Sequence, residues 1–205
     1  MNTEKIPDII VSRLPIYLRA LQRMADNGIT TTSSQELGEN IGISAAQIRK
    51  DLSQFGEFGK QGTGYHTSFL IDRLRQILKV DHSWDVAVVG MGELGRAIVR
   101  YQGFANRGFH VQMCFDSEQA KIGQDVGGTT IRDIKNIVKD IKGASIKVAM
   151  LCVPAAVAQD VANQLIEAGV QGILNYAPVS LTVPAGIKVQ YIDPAIGLQR
   201  ITYYL

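Results

Sequence analysis

A glycine-containing turn in the middle of this 205-residue chain limits its fold more than any other segment. The apolar run 85–89 leads into Gly90, Gly92 and Gly95, which have G-x-G-x-x-G spacing, and a helical pattern follows. In a dinucleotide site the first glycine permits a tight turn, the second admits backbone amides to a pyrophosphate, and the third lets helix and strand pack closely. The amides and dipole at the helix start then hold the phosphate charge. The turn therefore predicts a dinucleotide site that includes Gly90, Met91, Gly92, Glu93, Leu94 and Gly95.

The residues that follow this turn extend the same fold. From residue 85 onward, strand patterns alternate with helical patterns, as a parallel sheet with crossover helices requires. Strands are predicted near 85–89, 110–115, 145–152, 172–175 and 188–191, and helices at 95–106, 131–142 and 155–168. These elements predict a Rossmann-type, doubly wound parallel sheet over residues 81–192, which is the dinucleotide-binding domain.

Asp116 indicates which dinucleotide the site prefers. It lies 21 residues after Gly95 (116 − 95) and directly follows the second predicted strand. An acidic side chain there accepts hydrogen bonds from the adenosine ribose hydroxyls and repels a 2′-phosphate. The sequence therefore favours NAD(H) over NADP(H), although a polar residue that merely ends a strand would give the same pattern.

Two later strand ends lie on the carboxyl edge of the predicted sheet, where ligands of this fold bind. They add residues to the predicted cofactor site, on its nicotinamide side: Val153, Pro154, Tyr176, Ala177 and Pro178. Ordinary turn prolines are the competing interpretation of both segments. Cys114 and Cys152 both lie in apolar runs, which favours buried thiols in a reducing cytosol, with a redox role for Cys152 as the alternative.

Residues 1–80 have a different character, with three helical patterns in succession. The helices are predicted at about 12–26, 33–41 and 44–55, and two serines, Ser33 and Ser44, begin segments with the spacing of a capping box. The last two helices, joined through Gly42, make a helix-turn-helix. The glycine-rich run 56–67 then resembles the wing of a winged helix, which commonly lies along the sugar-phosphate backbone.

DNA is the partner that this N-terminal domain favours. Outward positions of the predicted recognition helix carry polar and basic groups that can meet base edges and phosphates. The predicted DNA contacts are Ser33, Ser44, Gln47, Arg49, Lys50, Ser53, Lys60 and Tyr65. The net charge is only +2, but residues 1–80 hold ten Lys/Arg against eight Asp/Glu, while residues 81–205 hold eleven of each. A small helical domain that binds protein is the alternative interpretation.

Several function classes lack the residues that they need. A nicotinamide dehydrogenase needs a proton donor or acceptor beside its substrate, yet His66, His82 and His110 all lie away from the carboxyl ends of the predicted strands. The cofactor fold also uses residues 85–192, so no second domain remains for a substrate pocket. No apolar stretch reaches about eighteen residues and the N-terminus has no signal-peptide pattern, so we expect a cytoplasmic protein without membrane or metal partners.

The chain resembles the Rex family of redox-sensing transcriptional repressors over nearly its whole length. The resemblance rests on a series of motifs that are together far more specific than one glycine turn: Arg13-Leu-Pro-Ile-Tyr-Leu-Arg19, Thr32-Ser-Ser-Gln-Glu-Leu37, Gln47-Ile-Arg-Lys-Asp-Leu52, Phe55-Gly56, Gly62-Thr-Gly-Tyr65, Gly90-Met-Gly-Glu-Leu-Gly95, Tyr101-Gln-Gly-Phe104 and Gly172-Ile-Leu-Asn-Tyr-Ala-Pro178. It implies a homodimer whose Rossmann domains exchange a C-terminal helix. It also implies binding of palindromic operator DNA when NADH is scarce, and release when NADH binds and the domains reorient.

The resemblance further implies a polar triad that links the two states, at positions that match Arg19, Tyr101 and Asp193. An Arg–carboxylate pair can form in one domain arrangement and be lost in the other, which suits a switch. Some family members carry an aromatic residue after the carboxylate, where this chain has Pro194. The terminal run 196–205 is short and Gly197 weakens it as a helix, so we expect a brief exchanged element.

Together these features predict an α/β chain with a winged-helix (helix-turn-helix) domain at 1–80, a Rossmann-type domain at 81–192 and a dimerisation segment at 193–205. The predicted function is a DNA-binding repressor, not an enzyme, for which NADH and NAD+ are effector ligands. Two alternatives remain. One is an NAD-dependent oxidoreductase with an appended winged helix, and the other is a coenzyme A-responsive regulator, since related folds bind that ligand.

Overall fold

A computed structural model describes residues 6–56, 58 and 64–205 of the chain. Two compact units divide between His82 and Ser83, close to the boundary predicted after residue 80. Residues 193–205 are part of the second unit rather than a unit of their own. Within the described residues, no helix has both the length and the apolar character needed to span a bilayer.

The first unit is mainly helical and contains one small pair of strands. Its elements are α1 (Asp8–Val11), α2 (Leu14–Asp26), β1 (Thr31–Thr32), α3 (Ser34–Ile41), α4 (Ala45–Ser53), β2 (Tyr65–His66) and α5 (Thr67–Ile77). The helix predicted from residue 12 begins at Leu14 instead, because the Ser12 hydroxyl donates to the Ile9 carbonyl and does not cap α2. Pro15, in the first turn of α2, needs no acceptor for a backbone N–H there.

The core of the first unit forms where the apolar faces of its helices meet. The buried residues of α2 recur at helical spacing, and α3, α4 and α5 contribute apolar residues to the same core. The largest fully buried members are Leu14, Tyr17, Leu21, Leu37, Ile48, Leu70 and Leu74. Part of the predicted wing is present as β2, which pairs antiparallel with β1. Residues 57 and 59–63 of that segment lie outside the described residues.

The second unit alternates strands and helices. Its elements are β3 (Trp84–Val89), α6 (Glu93–Arg100), β4 (Phe109–Asp116), β5 (Asp125–Val126), β6 (Thr129–Asp133), α7 (Ile137–Ala144), β7 (Val148–Leu151), α8 (Ala155–Glu167), β8 (Gly172–Asn175), β9 (Lys188–Tyr191) and α9 (Pro194–Thr202), with 3₁₀ turns at Gln102–Arg107 and Ile134–Asn136. The helix predicted over 131–142 was wrong at its start, because β-branched residues there form β6 and pair with β4.

The strands form one sheet in the order β5-β6-β4-β3-β7-β8-β9 across the described residues. All neighbouring strands are parallel except β5, which pairs antiparallel with β6 at the edge. Without β5 this is the strand order of the Rossmann fold, and the order reverses between β3 and β7. The carboxyl ends of β3, β4 and β7 therefore flank the crevice where such sheets bind ligands.

Apolar cores on both faces hold this sheet between its helices. Successive residues of β3 alternate between the two cores: Ala87 and Val89 belong to one, and Val86 and Val88 to the other. Residues of α7 and α8 belong to the first core, and residues of α6 belong to the second. Because a strand buried on both faces reads as a continuous apolar run, the sequence of β3 was informative.

Candidate nucleotide cleft and DNA-binding surface

The glycine turn lies between the end of β3 and the start of α6. Gly90 has a φ of +94°, in the left-handed region, and a Cβ on it would collide with the carbonyl oxygen of Cys152. A Cβ on Gly95 would collide with the carbonyl oxygen of Gly90. Gly92 is the N-cap of α6, and the space beside it is open. The backbone of the turn therefore requires glycine at the first and third positions of the motif.

A cleft of about 700 Å³ opens at this turn, which is within the usual volume range of ligand pockets. Predicted cofactor residues that line it are Gly90, Gly92, Leu94, Asp116, Val153, Pro154 and Tyr176. The other predicted residues, all within the described part of the chain, are not part of its wall: Met91, Glu93, Gly95, Ala177 and Pro178. The cleft thus brings the glycine turn, the end of β4 and the segment after β7 together.

The sequence analysis missed the part of the wall formed by α8 and by the loop after β4, and also two single residues after β6 and β7. The missed residues are Ser117, Glu118, Lys121, Ile134, Cys152, Val157, Asp160, Val161 and Gln164. Those on α8 recur at positions i, i+3, i+4 and i+7, which is one face of a helix. That spacing, together with the position of α8 directly after β7, could have predicted the four residues on α8 from the sequence.

Asp116 ends β4 and faces the cleft with only 8% of its surface exposed. Its Oδ2 accepts the Met91 N–H at 2.7 Å and a longer contact of 3.4 Å from the Lys121 ammonium, while its Oδ1 accepts the Glu118 N–H at 2.8 Å. Burial alone would raise the pKa of Asp116. The hydrogen bonds from the Glu118 and Met91 amides and the charge of Lys121 outweigh burial and hold that pKa below 3.8, so the side chain is a carboxylate at neutral pH.

Hydrogen bonds hold the Met91 backbone at both its N–H and its carbonyl. Its N–H binds Asp116, and its carbonyl accepts from Nε of Arg96 at 3.2 Å. Arg96 is held in turn by the side chain of Gln124 at 2.9 Å. The Met91 side chain is fully buried in the core beneath the turn. Its amide is therefore engaged with Asp116, and the wall of the cleft is built from its neighbours.

Neither cysteine has the surroundings of a reactive thiolate. Burial raises the pKa of Cys152, which lines the cleft, to about 12. Burial also raises the pKa of Cys114 to about 11. A thiol at neutral pH is a poor nucleophile, so the chemistry of Cys152 does not favour the redox role considered for it. The described residues also contain no group of three or more His, Cys, Asp or Glu side chains that could hold a metal ion.

In the first unit, α3 and α4 form the helix-turn-helix through Gly42, which takes a left-handed conformation at the end of α3. Ser33 and Glu36 complete a capping box, in which the Ser33 hydroxyl accepts from the Glu36 N–H and the Glu36 carboxylate from the Ser33 N–H. Burial of Ile48 and Leu52 fixes the inner face of α4. The opposite face of α4 is consequently available to a ligand.

The predicted DNA contacts occupy different environments. Exposed on or beside α4 are Ser44, Arg49, Lys50 and Ser53. Half-buried are Ser33, Gln47 and Tyr65. The Tyr65 hydroxyl shares a hydrogen bond of 3.0 Å with Ser34 in α3, which ties β2 to the start of the helix-turn-helix. Lys60 lies outside the described residues.

A buried carboxylate on α4 was not recognised from the sequence. Asp51 is fully buried, and its two oxygens accept from Nε and Nη2 of Arg13 at 2.6 and 2.7 Å, from the Tyr17 hydroxyl at 2.6 Å and from Nε2 of Gln47 at 2.6 Å. Burial alone would raise the pKa of Asp51, but the hydrogen bonds from Arg13, Tyr17 and Gln47 lower it below 3.8. This network joins α4 to the start of α2.

The residues of the predicted coupling triad are partly or largely exposed within their own units. Arg19 is exposed on α2, and Tyr101, 49% exposed, packs edge-on against Phe104 at 5.0 Å between ring centroids. A Cβ on Gly103 would meet the end of the Tyr101 ring, so the ring in this position lies directly against Gly103. Asp193 caps α9 by accepting the Ala195 N–H at 2.9 Å. The following residue, Pro194, is the first residue of α9, where proline is favoured.

Two family models match separate parts of the chain. Residues 5–53 match a family described as "Putative DNA-binding protein N-terminus". Residues 81–179 match a family described as "CoA binding domain". The first match covers most of the helix-turn-helix unit, and the second covers most of the sheet that carries the cleft.

Full-length relatives and solved structures give a more specific result. The chain is 51% identical to the redox-sensing transcriptional repressor Rex of Chloroflexus aurantiacus, over 97% of this chain and 94% of that protein. It is 33% identical, with a TM-score of 0.93, to a Rex-family repressor crystallised with β-NAD+ and operator DNA, covering 97% of this chain and 92% of that one. The same repressor with β-NADH gives 30% identity and a TM-score of 0.90, covering 98% and 95%.

Proposed function

The chain belongs to the Rex family of redox-sensing transcriptional repressors, and we propose that it binds operator DNA and releases it when NADH occupies the cleft. The observation that carries this proposal is the likeness, over nearly the whole chain, to a repressor solved both with NAD+ and operator DNA and with NADH. Such a repressor is a regulator and not an enzyme. We propose that it acts in the cytoplasm, since a repressor must reach the DNA.

The cleft suits an NAD(H) ribose at Asp116. A carboxylate has about four acceptor positions, and three donors already occupy those of Asp116. The remaining position on Oδ1 can accept a ribose hydroxyl, while the negative charge repels a phosphate on the same ribose. NADP(H) carries such a phosphate at the 2′ position and coenzyme A at the 3′ position. The geometry of Asp116 therefore supports NAD(H) over both.

The helix-turn-helix unit supplies the DNA-binding surface. Arg49 and Lys50 are exposed on α4, which corresponds in position to the recognition helix of this motif. Basic side chains on such a helix bind phosphates or the acceptor edge of guanine. Arg49 and Lys50 therefore make up the core of the proposed operator contact.

A second copy of the chain completes the proposed assembly. Apolar side chains on and after α9 are exposed in the single chain: Ile196, Leu198, Ile201, Tyr203, Tyr204 and Leu205. So many large apolar side chains left exposed in one short segment support its use as an interface. A two-fold dimer presents two recognition helices to half-sites about 34–36 Å apart, which accounts for a palindromic operator. Movement between arrangements of Arg19, Tyr101 and Asp193 would then couple the cleft to the spacing of those helices.

Gel shifts on operator DNA test the proposal directly. The operator is first found by selection from random duplexes with the full-length protein, and the complex is then titrated separately with NADH and with NAD+. NADH should dissociate the complex at concentrations where NAD+ has little effect or opposes release, because a ligand shifts a two-state balance only through its differential affinity. Equal release by both forms would exclude redox sensing, and turnover of a hydroxy acid or aldehyde with cofactor reduction would favour the oxidoreductase.

Four substitutions distinguish DNA binding from the coupling of the two sites. Arg49→Ala and Lys50→Ala should weaken DNA binding while NADH binding is retained. Asp193→Asn removes the charge but keeps a residue suited to cap α9, so it should leave both binding events intact and reduce NADH-driven release. If NADH still released operator DNA fully from both Asp193→Asn and Tyr101→Phe, the triad would not be what couples the two sites.

A further inference from the structure

The two serine caps of the helix-turn-helix are built differently. At the start of α3, Glu36 reaches back to the N–H of Ser33 and completes a capping box. At the start of α4 the Ser44 hydroxyl accepts the Gln47 N–H at 3.2 Å, but the side-chain amide of Gln47 turns the other way. It donates through Nε2 to Oδ1 of Asp51, one helical turn further on, at 2.6 Å. Only the first half of the expected box is therefore present at Ser44.

The partner of this amide fixes which of its two ends faces inward. An ionised carboxylate accepts hydrogen bonds and donates none, so it can bind the NH₂ end of an amide and not the carbonyl end. Asp51 is fully buried, and Arg13 and Tyr17 hold its two oxygens in place. A rotated amide would lose a charge-assisted hydrogen bond and place two oxygen atoms against each other. The orientation of the Gln47 amide therefore follows from the chemistry of its neighbour.

The carbonyl oxygen of Gln47 is the end left for a ligand. Among the residues that the structure describes, no donor bonds to this oxygen, and the side chain is only half-buried. In a planar amide the oxygen and the nitrogen project in different directions from the same carbon, so a nitrogen held at Asp51 sends the oxygen away from it. A free glutamine reads adenine by donating and accepting at once. In this arrangement one N–H of the Gln47 amide is used at Asp51, and the carbonyl oxygen is the acceptor that stays open on the outward side.

The chemistry of DNA limits what an acceptor on α4 can bind. Phosphate oxygens are acceptors, so the Gln47 carbonyl gains nothing from the backbone. In the major groove, guanine presents two acceptors and thymine one acceptor and a methyl group, whereas adenine N6 and cytosine N4 are amino donors. We infer that Gln47, oriented by Asp51, is a specificity-determining acceptor for the exocyclic amino group of one adenine or cytosine in each operator half-site. This inference rests on the proposed DNA-binding function.

A double-mutant cycle between protein and DNA tests it. The selected operator is synthesised with single bases that lack the amino group, purine in place of adenine and pyrimidin-2-one in place of cytosine, one position at a time. Binding of the full-length protein is measured by fluorescence anisotropy at fixed salt. At one position per half-site, loss of the amine should weaken wild-type binding about two- to tenfold, the range of one hydrogen bond. In Gln47→Ala the same change should have no further effect beyond the loss of base pairing.

Gln54→Ala is the matched control, since Gln54 is an exposed glutamine at the end of the same helix. It should keep the full sensitivity to the missing amine. Coupling of Gln47 to 7-deazaguanine, which lacks the N7 acceptor of guanine, would overturn the inference, because it would mean that the second N–H of the amide reads the base and the carbonyl does not. The inference would also be overturned if Gln47→Ala weakened binding by the same factor on the unmodified operator and on every operator that lacks one amine. That result would mean that Gln47 only stabilises α4. If wild-type protein selects no operator at all, the proposed function fails instead.

Discussion

Two buried carboxylates, one in each unit, accept different sets of hydrogen bonds. Asp51 accepts four, two at each oxygen, all from side chains of its own unit. Asp116 accepts three, two from backbone amides and a long third from Lys121, and it borders the cleft. Since a carboxylate has about four acceptor positions, Asp51 is saturated and Asp116 is not. Saturation marks a carboxylate that holds structure, and an open position beside a cleft marks one that can bind a ligand.

Removal of Asp51 should have the largest effect. Asp51→Ala leaves the guanidinium of Arg13 without its buried partner, which typically costs about 3–5 kcal/mol in the free energy of unfolding. Urea unfolding followed by circular dichroism measures this loss. Asp140→Ala is the control, because the Asp140 pair with Arg132 is partly exposed and should be worth only about 0–1 kcal/mol. Similar losses in both variants would show that the saturated network adds no more than a surface pair.

Removal of Asp116 should lower the affinity for NADH. Asp116→Ala deletes the proposed charge-assisted hydrogen bond to the ribose, a kind of bond worth about 1.5–3 kcal/mol, so NADH affinity should fall about ten- to a hundredfold in isothermal titration calorimetry. Asp160→Ala, on the exposed part of the cleft wall, should change it less than about threefold. Affinity for coenzyme A should not fall in Asp116→Ala. A parallel fall for NADH and coenzyme A would mean that Asp116 supports the turn and does not read the ribose.

Tyr17 provides a smaller test at alkaline pH. Burial first, and then the hydrogen bond to Asp51, raise the pKa of Tyr17 from 10.0 to about 12. The unfolded tyrosine ionises first, so its contribution to stability is complete below pH 10 and is lost as pH rises towards 12. Cys114 and Cys152 also have raised pKa values, so the comparison must be between wild type and Tyr17→Phe. Tyr17→Phe should cost about 1 kcal/mol at pH 7 and show a shallower alkaline decline. An unchanged decline would show that another group causes it.

The same contrast explains what the sequence could reveal. The three glycines, the apolar run of β3 and the acid after β4 are local patterns, because strand, turn and helix follow one another in the chain. Asp51 gave no such signal, since its partner Arg13 is 38 residues away and only the packing of α2 against α4 brings them together. The second capping box was half wrong for a local reason, because Asp51, four residues along the same helix, attracts the Gln47 amide. Local spacing predicts the contacts within an element, and long-range hydrogen bonds are found only in the fold.

Substitution of Lys121 should have the smallest effect, and it compares the cation beside Asp116 with the cation beside Asp51. Its ammonium is 2.6 Å from the exposed Glu118 and 3.4 Å from Asp116, so its stronger contact lies away from the buried carboxylate. Backbone amides carry most of the hydrogen bonding to Asp116, and they remain in Lys121→Met. NADH affinity should therefore change less than about fivefold, as expected for a partly exposed pair, whereas Arg13→Met at the saturated site should destabilise the first unit strongly. A loss in Lys121→Met as large as that in Asp116→Ala would mean that the ammonium itself binds the nucleotide.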